Sequence, residues 1–367
     1  SSHEQELFLA FPWRIYQGDP IWVPPLLPER RKALDPARGT FFQRGGYAQC
    51  FLAWDGSTPT GTICAAEDTL TNAQRGLKDG MFGFFECVND AGTARALLDT
   101  AAAWLRARGL QTLYGPFNLD YEDSYGVLLE GRDRPPALLC GHTPPYYQAF
   151  MEDYGMQPAR GDNLAFACQL DDSPALRQLE QAAVRARRHP TTRIRGARFD
   201  RWDEEIDHVH ILMNKALAHL PDFIPWQRQT LVDLFEPFRK IADPELILFA
   251  EVNGETIGFL PGIPDLNAVF IHANGLRYPW NYLGLAWRLR AMRPDCLTIK
   301  SILVLREHWG TSAVMLLLGE MLSRARARGY RWVDLSLTSA DNPRTPILAE
   351  RLGARIYKRY RVYRKPI

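Results

Sequence analysis

Paired cysteine spacing is missing from this chain. Six cysteines (Cys50, Cys64, Cys87, Cys140, Cys168, Cys296) are scattered, with no CxxC pair. This excludes a disulfide framework or zinc ribbon and predicts reduced, mostly buried thiols in a cytoplasmic protein. Long apolar runs are missing too. The longest, Ala313 to Leu318, falls far short of the ~20 residues that cross a bilayer. Charge of either sign is barely in excess, +2 overall, too mild a balance for a nucleic-acid partner. The opening SSHEQELFLAFPW has neither the basic segment nor the apolar core of a secretory leader. There is no Walker loop, nucleophile elbow or zinc pattern. His208 and His210, two apart on a predicted helix, cannot share a face, so no metal is expected.

What is present reads as one plan used twice. A length of 367 residues suggests two ordinary domains, and 26 prolines with 32 Phe and Tyr point to long ordered loops. FLAWDGSTPTGTI (51–63) and LFAEVNGETIGFL (248–260) both read as hairpins, turning at Asp55-Gly56 and Asn253-Gly254. Each half then carries a long helix stopped by a glycine, Gly109 or Gly329, and followed by a strand. Counted back from those glycines, Ala94, Leu97, Leu98, Ala101, Ala102 and Leu105 match Val314, Leu317, Leu318, Met321, Leu322 and Ala325. Both sets have the spacing of one buried helix face. The expected class is α/β with a mixed sheet, as an N-terminal domain 1–172, a helix and linker 173–192, and a C-terminal domain 193–367. Seven arginines between Arg185 and Arg201 read either as a solvated linker or as a contact for a phosphorylated ligand or anionic surface.

Between the strand LTIKSILVL and the second long helix lies EHWGTS, Glu307 to Ser312. A helix N-terminus offers unpaired N–H groups and partial positive charge, suited to a pyrophosphate. Gly310 would allow close backbone approach, and Thr311 and Ser312 can donate hydrogen bonds. A plain strand-to-helix corner is the competing reading. The first half supplies a contrast, because Asp90 occupies the place of Gly310. A carboxylate there would cap the helix and repel a phosphate, so the first half is expected not to hold such a ligand.

Hairpin, strand, glycine turn, long helix, strand, short helix and closing strands, in that order, resemble the GNAT acyltransferase superfamily. EHWGTS resembles its Q/R-x-x-G-x-G/A turn, and Asn342 and Gly353 reproduce its Asn-to-Gly spacing. The first half, with GFFE, GPFN and PPYY (83–86, 115–118, 144–147), resembles a bacterial tandem branch linked to long-chain N-acylation in ceramide synthesis. The departures are Glu307 for Gln or Arg, Ser312 for Gly or Ala, and Ala349 where many members have a proton-donating Tyr. The resemblance implies acyl-CoA, acetyl or longer, as co-substrate. Leu303, Val304 and Leu305 would present backbone to the acyl carbonyl, and Glu307, His308, Trp309, Gly310, Thr311 and Ser312 would cradle the pyrophosphate.

Several residues compete for the proton-transfer roles. Glu86 ends an aromatic strand, where its carboxyl could titrate high or be a plain strand-end charge. His219 and Asp222 lie in a Pro-rich loop expected to face the acceptor, or are structural loop residues. Asp265, with Asn267, follows the second hairpin or forms a turn. Asn342 follows the family pattern, and Tyr360 or Tyr363 could replace the missing donor, although strand alternation lets only one point inward. Asn118 and Tyr125 could line an acceptor site; a turn capped by Asn is the alternative. The aromatic N-terminal arm (FPWRIYQGDPIWVPPLLPERR) would cover part of an acyl groove or simply pack the core, and the insert Asn267–Cys296 leaves room for an acyl chain bulkier than acetyl. The expected function is acyl transfer from a CoA thioester to a primary amine, a sphingoid or other lipid amine among the candidates. An acyl carrier protein is an alternative donor, and peripheral membrane contact is allowed. A non-catalytic tandem scaffold is the rival reading, favoured by Ala349 and Glu307, and aminoacyl transfer from tRNA would need a stronger basic patch.

Overall fold

The computed structural model describes residues 2–119, 125–171, 173–187, 192–219, 223 and 225–367. The chain opens with helices α1 (Ser2–Ala10) and α2 (Leu27–Ala33). There follow β1 (Tyr47–Asp55), β2 (Thr58–Glu67), β3 (Asp79–Cys87), α3 (Ala91–Ala107), β4 (Thr112–Gly115), β5 (Val127–Glu130), α4 (Tyr147–Asp153), β6 (Gln157–Pro158) and β7 (Asn163–Gln169). The second half runs α5 (Pro174–Ala186), β8 (Arg193–Gly196), α6 (Trp202–Leu217), β9 (Ile247–Val252), β10 (Glu255–Pro264), α7 (Asn267–Phe270), α8 (Pro279–Ala291), β11 (Cys296–Ile299) and β12 (Leu303–Val304). It closes with α9 (Ala313–Ala327), β13 (Trp332–Ser339), α10 (Thr345–Arg351), β14 (Arg355–Arg361) and β15 (Tyr363–Pro366).

Local chemistry builds the repeated parts. The Asn253-Gly254 loop holds both residues at positive φ, 51° and 85°, so a two-residue turn joins Val252 to its partner Glu255 with the twist a hairpin needs. All six positions of the predicted α3 stripe are buried. On α9, Leu317, Leu318, Met321, Leu322 and Ala325 are buried and Val314 is half-buried, while Ala313, Leu316 and Gly319 are buried as well. The wider burial has a cause: α9 packs on its sheet and also on α5, so closely that a side-chain carbon at Gly319 would lie 2.4 Å from Ala183 Cβ.

The sheets are not filled by successive halves of the chain. The first has the order β1-β2-β3-β4-β15-β6, and the second β8-β9-β10-β11-β13-β7-β14-β5, with β12 on β10. Among the described residues, only β3–β4 and β11–β13 pair in parallel. In each sheet, the strand beside the parallel pair comes from the other half of the sequence: β15 next to β4, and β7 next to β13. Each sheet carries its own apolar core against α3 or α9. The arginine-rich stretch is held largely by internal carboxylates. Arg195 is buried against Glu205 and Glu251, Arg198 and Arg201 meet Glu251 and Glu204, and Arg187 pairs with Glu320.

Candidate active site

β11 and β12 are one strand interrupted. β11 pairs with β10 and, in parallel, with β13 as far as Thr298 opposite Asp334. Lys300, Ser301 and Ile302 then leave the ladder, and β12 rejoins only β10. The result is a wedge beside β12. Within it, the Leu305 amide donates to the Ile257 carbonyl at 2.9 Å, so Leu303 and Leu305 face β10. Alternation turns the Val304 amide toward the wedge, and the Val304 carbonyl accepts the Trp309 indole N–H at 2.8 Å. Of the three backbone groups expected at the acyl carbonyl, only Val304 is aimed at the opening.

Past β12 comes a 3-10 turn, Arg306–His308, and then Gly310 at φ 84°. A side-chain carbon on Gly310 would touch nothing within 4 Å, so this backbone is open to approach. Ser312 is the N-cap residue of α9, but its hydroxyl accepts no helix amide. Thr311 Oγ1 donates to the His308 carbonyl at 2.7 Å and accepts the Ala313 amide at 3.3 Å. Two cations gather on the Trp309 ring, Arg344 at 4.4 Å and Arg306 at 6.0 Å, and the His219 ring meets it edge-on at 5.1 Å. Helix dipole, an N-cap side chain that takes no amide and flanking arginines are the features an anion site needs. The sister helix α3 differs as expected. Asp90 accepts the Thr93 amide at 2.6 Å, and its hydrogen bonds to Thr93 hold its carboxyl below the usual range.

A polar cluster closes the root of the wedge. Lys300 Nζ bonds the Leu138 carbonyl and lies 3.4 Å from Ser336 Oγ, on a residue that takes φ 58° at a bulge in β13. Asp334 is fully buried; its Oδ1 accepts the Tyr357 hydroxyl at 2.9 Å, and its Oδ2 has no partner among the described residues. Burial pushes the Asp334 carboxyl up, and the Lys300 charge draws it back. Asp265, pushed by burial to about 6, accepts the amides of Leu138 and Asn267 at 2.9 and 3.1 Å. It anchors the 136–143 loop.

The same loop helps wall a cavity of about 410 Å³, with Trp22 and Pro24 of the N-terminal arm, Phe84 and Glu86 of β3, Asn118, and its own His142. Glu86 Oε2 accepts the Tyr147 hydroxyl at 2.8 Å and lies 3.0 Å from the Tyr16 hydroxyl. Burial pushes the Glu86 carboxyl up to about 7, against the pull of those two hydroxyls and of the Arg30 charge. Both tyrosine hydroxyls lie on Oε2, the Tyr16 hydroxyl also 3.0 Å from the His142 carbonyl, so Oε1 is the oxygen left to take up a proton. His142 is buried, and burial draws its pKa down against the pull of Asp19. The neutral ring therefore donates Nε2–H to Asp19 Oδ2 at 2.8 Å, leaving Nδ1 a lone pair with no partner among the described residues.

Residues 212–354 match the Acetyltransferase (GNAT) family model. The chain is 30% identical over 369 residues to the bacterial ceramide synthase of Caulobacter vibrioides (strain NA1000 / CB15N), covering 99% of this chain and 95% of that protein. The chain belongs to the tandem GNAT acyltransferases. Protein YghO of Escherichia coli (strain K12) is 28% identical over 377 residues, covering 100% of this chain and 94% of that one. Among solved structures, a tandem GNAT protein from the clavulanic acid biosynthesis pathway shares the fold, with TM-score 0.59 over 100% of this chain and 96% of that chain at 14% identity.

For this tandem GNAT acyltransferase the structure sorts the sequence candidates by place. Glu86 and Asn118 line one cavity, and the Asn118 Oδ1 accepts the Phe84 amide at 2.8 Å. His219 lies beside the glycine turn, with Nδ1 2.9 Å from the Ala216 carbonyl. Asn342 Oδ1 accepts the Arg344 and Thr345 amides, each at 3.0 Å, ahead of α10. The Tyr125 ring lies tilted against Phe117 at 5.9 Å, and its hydroxyl is 3.5 Å from Asn163 Oδ1. Asp222 lies outside the described residues. Tyr360 and Tyr363 do not alternate as expected: the chain passes from one sheet to the other between them, and both are fully buried. Tyr360 donates to the Gly141 carbonyl at 2.9 Å, and Tyr363 to Glu152 at 3.2 Å. Ala349 is buried in the core of its half. Of the insert, α7 reaches the cavity wall through Asn267 and Phe270, whereas α8 does not line it. The sequence reading missed Asp19, His142, Lys300, Asp334 and Arg344. None stands in a local motif of its own, although His142 lies two residues before the PPYY signature.

Proposed function

We propose that this acyltransferase moves an acyl group from a CoA thioester to a primary amine, and that the acceptor is a long-chain lipid amine of the sphingoid type. The observation that carries the cofactor half is the contrast between two homologous helix starts. α9 has Gly310, an N-cap Ser312 whose side chain takes no amide, no carboxylate at its start and two arginines on Trp309, while α3 is capped by Asp90. The first half is also shut at its own parallel pair. Phe117 N donates to Phe82 O at 2.7 Å, Asn118 holds the Phe84 amide, and a side-chain carbon at Gly83 would lie 1.6 Å from the Phe117 carbonyl oxygen. The pyrophosphate accordingly belongs on α9, and the first half contributes the acceptor wall. The lipid acceptor is suggested by the ceramide synthase relative and by the aromatic lining of the cavity.

In the reaction the amine nitrogen attacks the thioester carbon, the C–N bond forms, the C–S bond breaks and CoA leaves as its thiolate, to be protonated. The Val304 amide would stabilise the oxyanion. Glu86 is the proposed base, since a carboxyl titrating near neutrality can take the amine proton on Oε1. His142, oriented by Asp19, is the second candidate on the same wall. Calorimetry with CoA, acetyl-CoA and palmitoyl-CoA, paired with product analysis on a sphingoid base, tests the proposal. Binding of palmitoyl-CoA and formation of an N-acyl product are expected; no binding of any thioester would refute it.

A further inference from the structure

Helix α8 presents an apolar face that nothing among the described residues covers. Not one of its residues is buried. Trp280, Leu283 and Trp287, at i, i+3 and i+7 on one face, are 64%, 76% and 64% exposed, the highest values among the exposed large apolar side chains. Tyr278 stacks on Trp280 at 4.7 Å, which extends the aromatic surface beyond the helix start. Isolated exposed apolar residues need no explanation, but a contiguous patch of this size marks a contact surface.

Charge decides which surface it fits. Residues 266–294 hold four arginines, Arg277, Arg288, Arg290 and Arg293, and no Asp or Glu. Among the described residues none of the four forms an ion pair; Arg277 and Arg288 instead lie over aromatic rings, at 5.0 Å from Trp13 and 5.8 Å from Trp287. Trp and Tyr at the level of the headgroups, Leu below them and unpaired arginines beside them is the chemistry of an interfacial helix. We infer that α8 docks this acyltransferase on an anionic lipid surface, lying in the plane of the interface with Trp280, Leu283 and Trp287 inserted.

The placement joins that surface to the cavity. α7, immediately ahead of α8, supplies Asn267 and Phe270 to the cavity wall. Asn274, between the two helices, accepts the Trp13 indole N–H at 2.7 Å, and Trp13 packs edge-on at 5.2 Å against Trp22, which walls the cavity. Docking would bring the arm that covers the cavity next to the bilayer, where a two-chain product or lipid amine resides. No helix among the described residues is long and apolar enough to cross a membrane, so contact of this kind is peripheral.

Flotation of the full chain with vesicles tests the inference without reference to activity. Binding is expected to phosphatidylcholine vesicles doped with phosphatidylglycerol, weakening in high salt. The triple variant W280S/L283S/W287S changes only exposed side chains; it should keep the wild-type melting temperature and lose about tenfold or more in partitioning. R288Q/R290Q/R293Q should lose on the order of a hundredfold on the anionic vesicles, about fivefold per arginine, and far less on neutral ones. Absence of wild-type binding, or binding untouched by both variants, would overturn the inference. So would a shift from dimer to monomer in the aromatic variant, by light scattering, with vesicle binding unchanged, since α8 would then be a contact between copies.

Discussion

Substituting Glu86 with Gln tests the cavity's electrostatics and its chemistry in one protein. Burial raises the Glu86 carboxyl from 4.5 to about 7, so the native state holds this proton more tightly than the unfolded chain. Between these values the native state binds more protons, and stability must fall as pH rises. The loss begins near pH 4.5, is complete just above pH 7, and amounts to roughly 3 kcal/mol at 1.36 kcal/mol per unit. Gln is isosteric with the protonated acid. Its carbonyl can accept the Tyr16 and Tyr147 hydroxyls that now share Oε2, while its NH2 replaces the Oε1 proton. The variant should therefore melt with the wild type near pH 4.5 and above it at pH 8. With about 2.1 cal/mol/K of unfolding entropy per residue, over 367 residues, the gap at pH 8 is roughly 4 °C. Scanning calorimetry at half-unit steps from pH 4.5 to 8 reads the difference directly, and other titrating groups cancel in it. Turnover should move the opposite way, falling about 10²- to 10⁴-fold with loss of the acid limb near pH 7. A melting difference independent of pH would refute the buried carboxyl. A pH-dependent difference with kcat within threefold of wild type would remove Glu86 as the base and leave His142.

Three further substitutions probe the other parts. Gly310→Asp should abolish measurable CoA binding, whereas Gly310→Asn, which shares the tolerance of Asn for positive φ, should weaken it only modestly; equal losses in calorimetry would make the turn a structural corner rather than an anion site. His142→Gln should gain on the wild type in melting temperature as pH falls below about 6.5, because the native ring resists a proton that the unfolded chain takes up; a gap constant from pH 5 to 7.5 would contradict the neutral buried ring. Tyr360→Phe leaves the buried Gly141 carbonyl without its donor and should cost about 1–3 kcal/mol in denaturant unfolding, with kcat reduced less than tenfold. A hundredfold fall in kcat at unchanged stability would instead restore Tyr360 as the proton donor.

Short-range pattern carried the elements, and long-range pairing hid the site. The α3 stripe and the Gly109 and Gly329 helix stops depend on neighbours within a few turns, so period and glycine placement revealed them. Gly310 and Asp90 could be compared because the two helices align on those stops. The exchange of β7 and β15 depends on which sheet edge a strand reaches after its own half is complete, and no local period encodes that. The same gap misled the alternation argument for Tyr360 and Tyr363, which holds only while a strand stays in one sheet. Asp265 is the turn former the sequence suggested, taking the Asn267 amide two residues on, but its other partner is the Leu138 amide, 127 residues away. Asp19 and His142 meet across 123 residues. Glu86 was readable because its aromatic neighbours in GFFE announced a dry environment before any fold was known.

The 136–143 loop explains why two halves that fold alike are needed together. Three groups of the second sheet hold it: Asp265 takes the Leu138 amide, Lys300 takes the Leu138 carbonyl, and Tyr360 donates to the Gly141 carbonyl. Its other side, through Leu138 and His142, walls the cavity that Glu86 closes from the first sheet. Lys300 stands where β11 breaks to form the wedge, so whatever shifts that break moves the Leu138 carbonyl and with it the cavity wall. The exchanged strands stiffen the link, because β15 cannot leave the first sheet without drawing on β14, which carries Tyr360. A thioester placed by the second half and an amine held by the first would thus be registered by one short loop, bonded through its backbone on one side and lined with side chains on the other. Backbone anchoring of this kind leaves the loop's side chains free to vary while its path between the two sheets stays fixed.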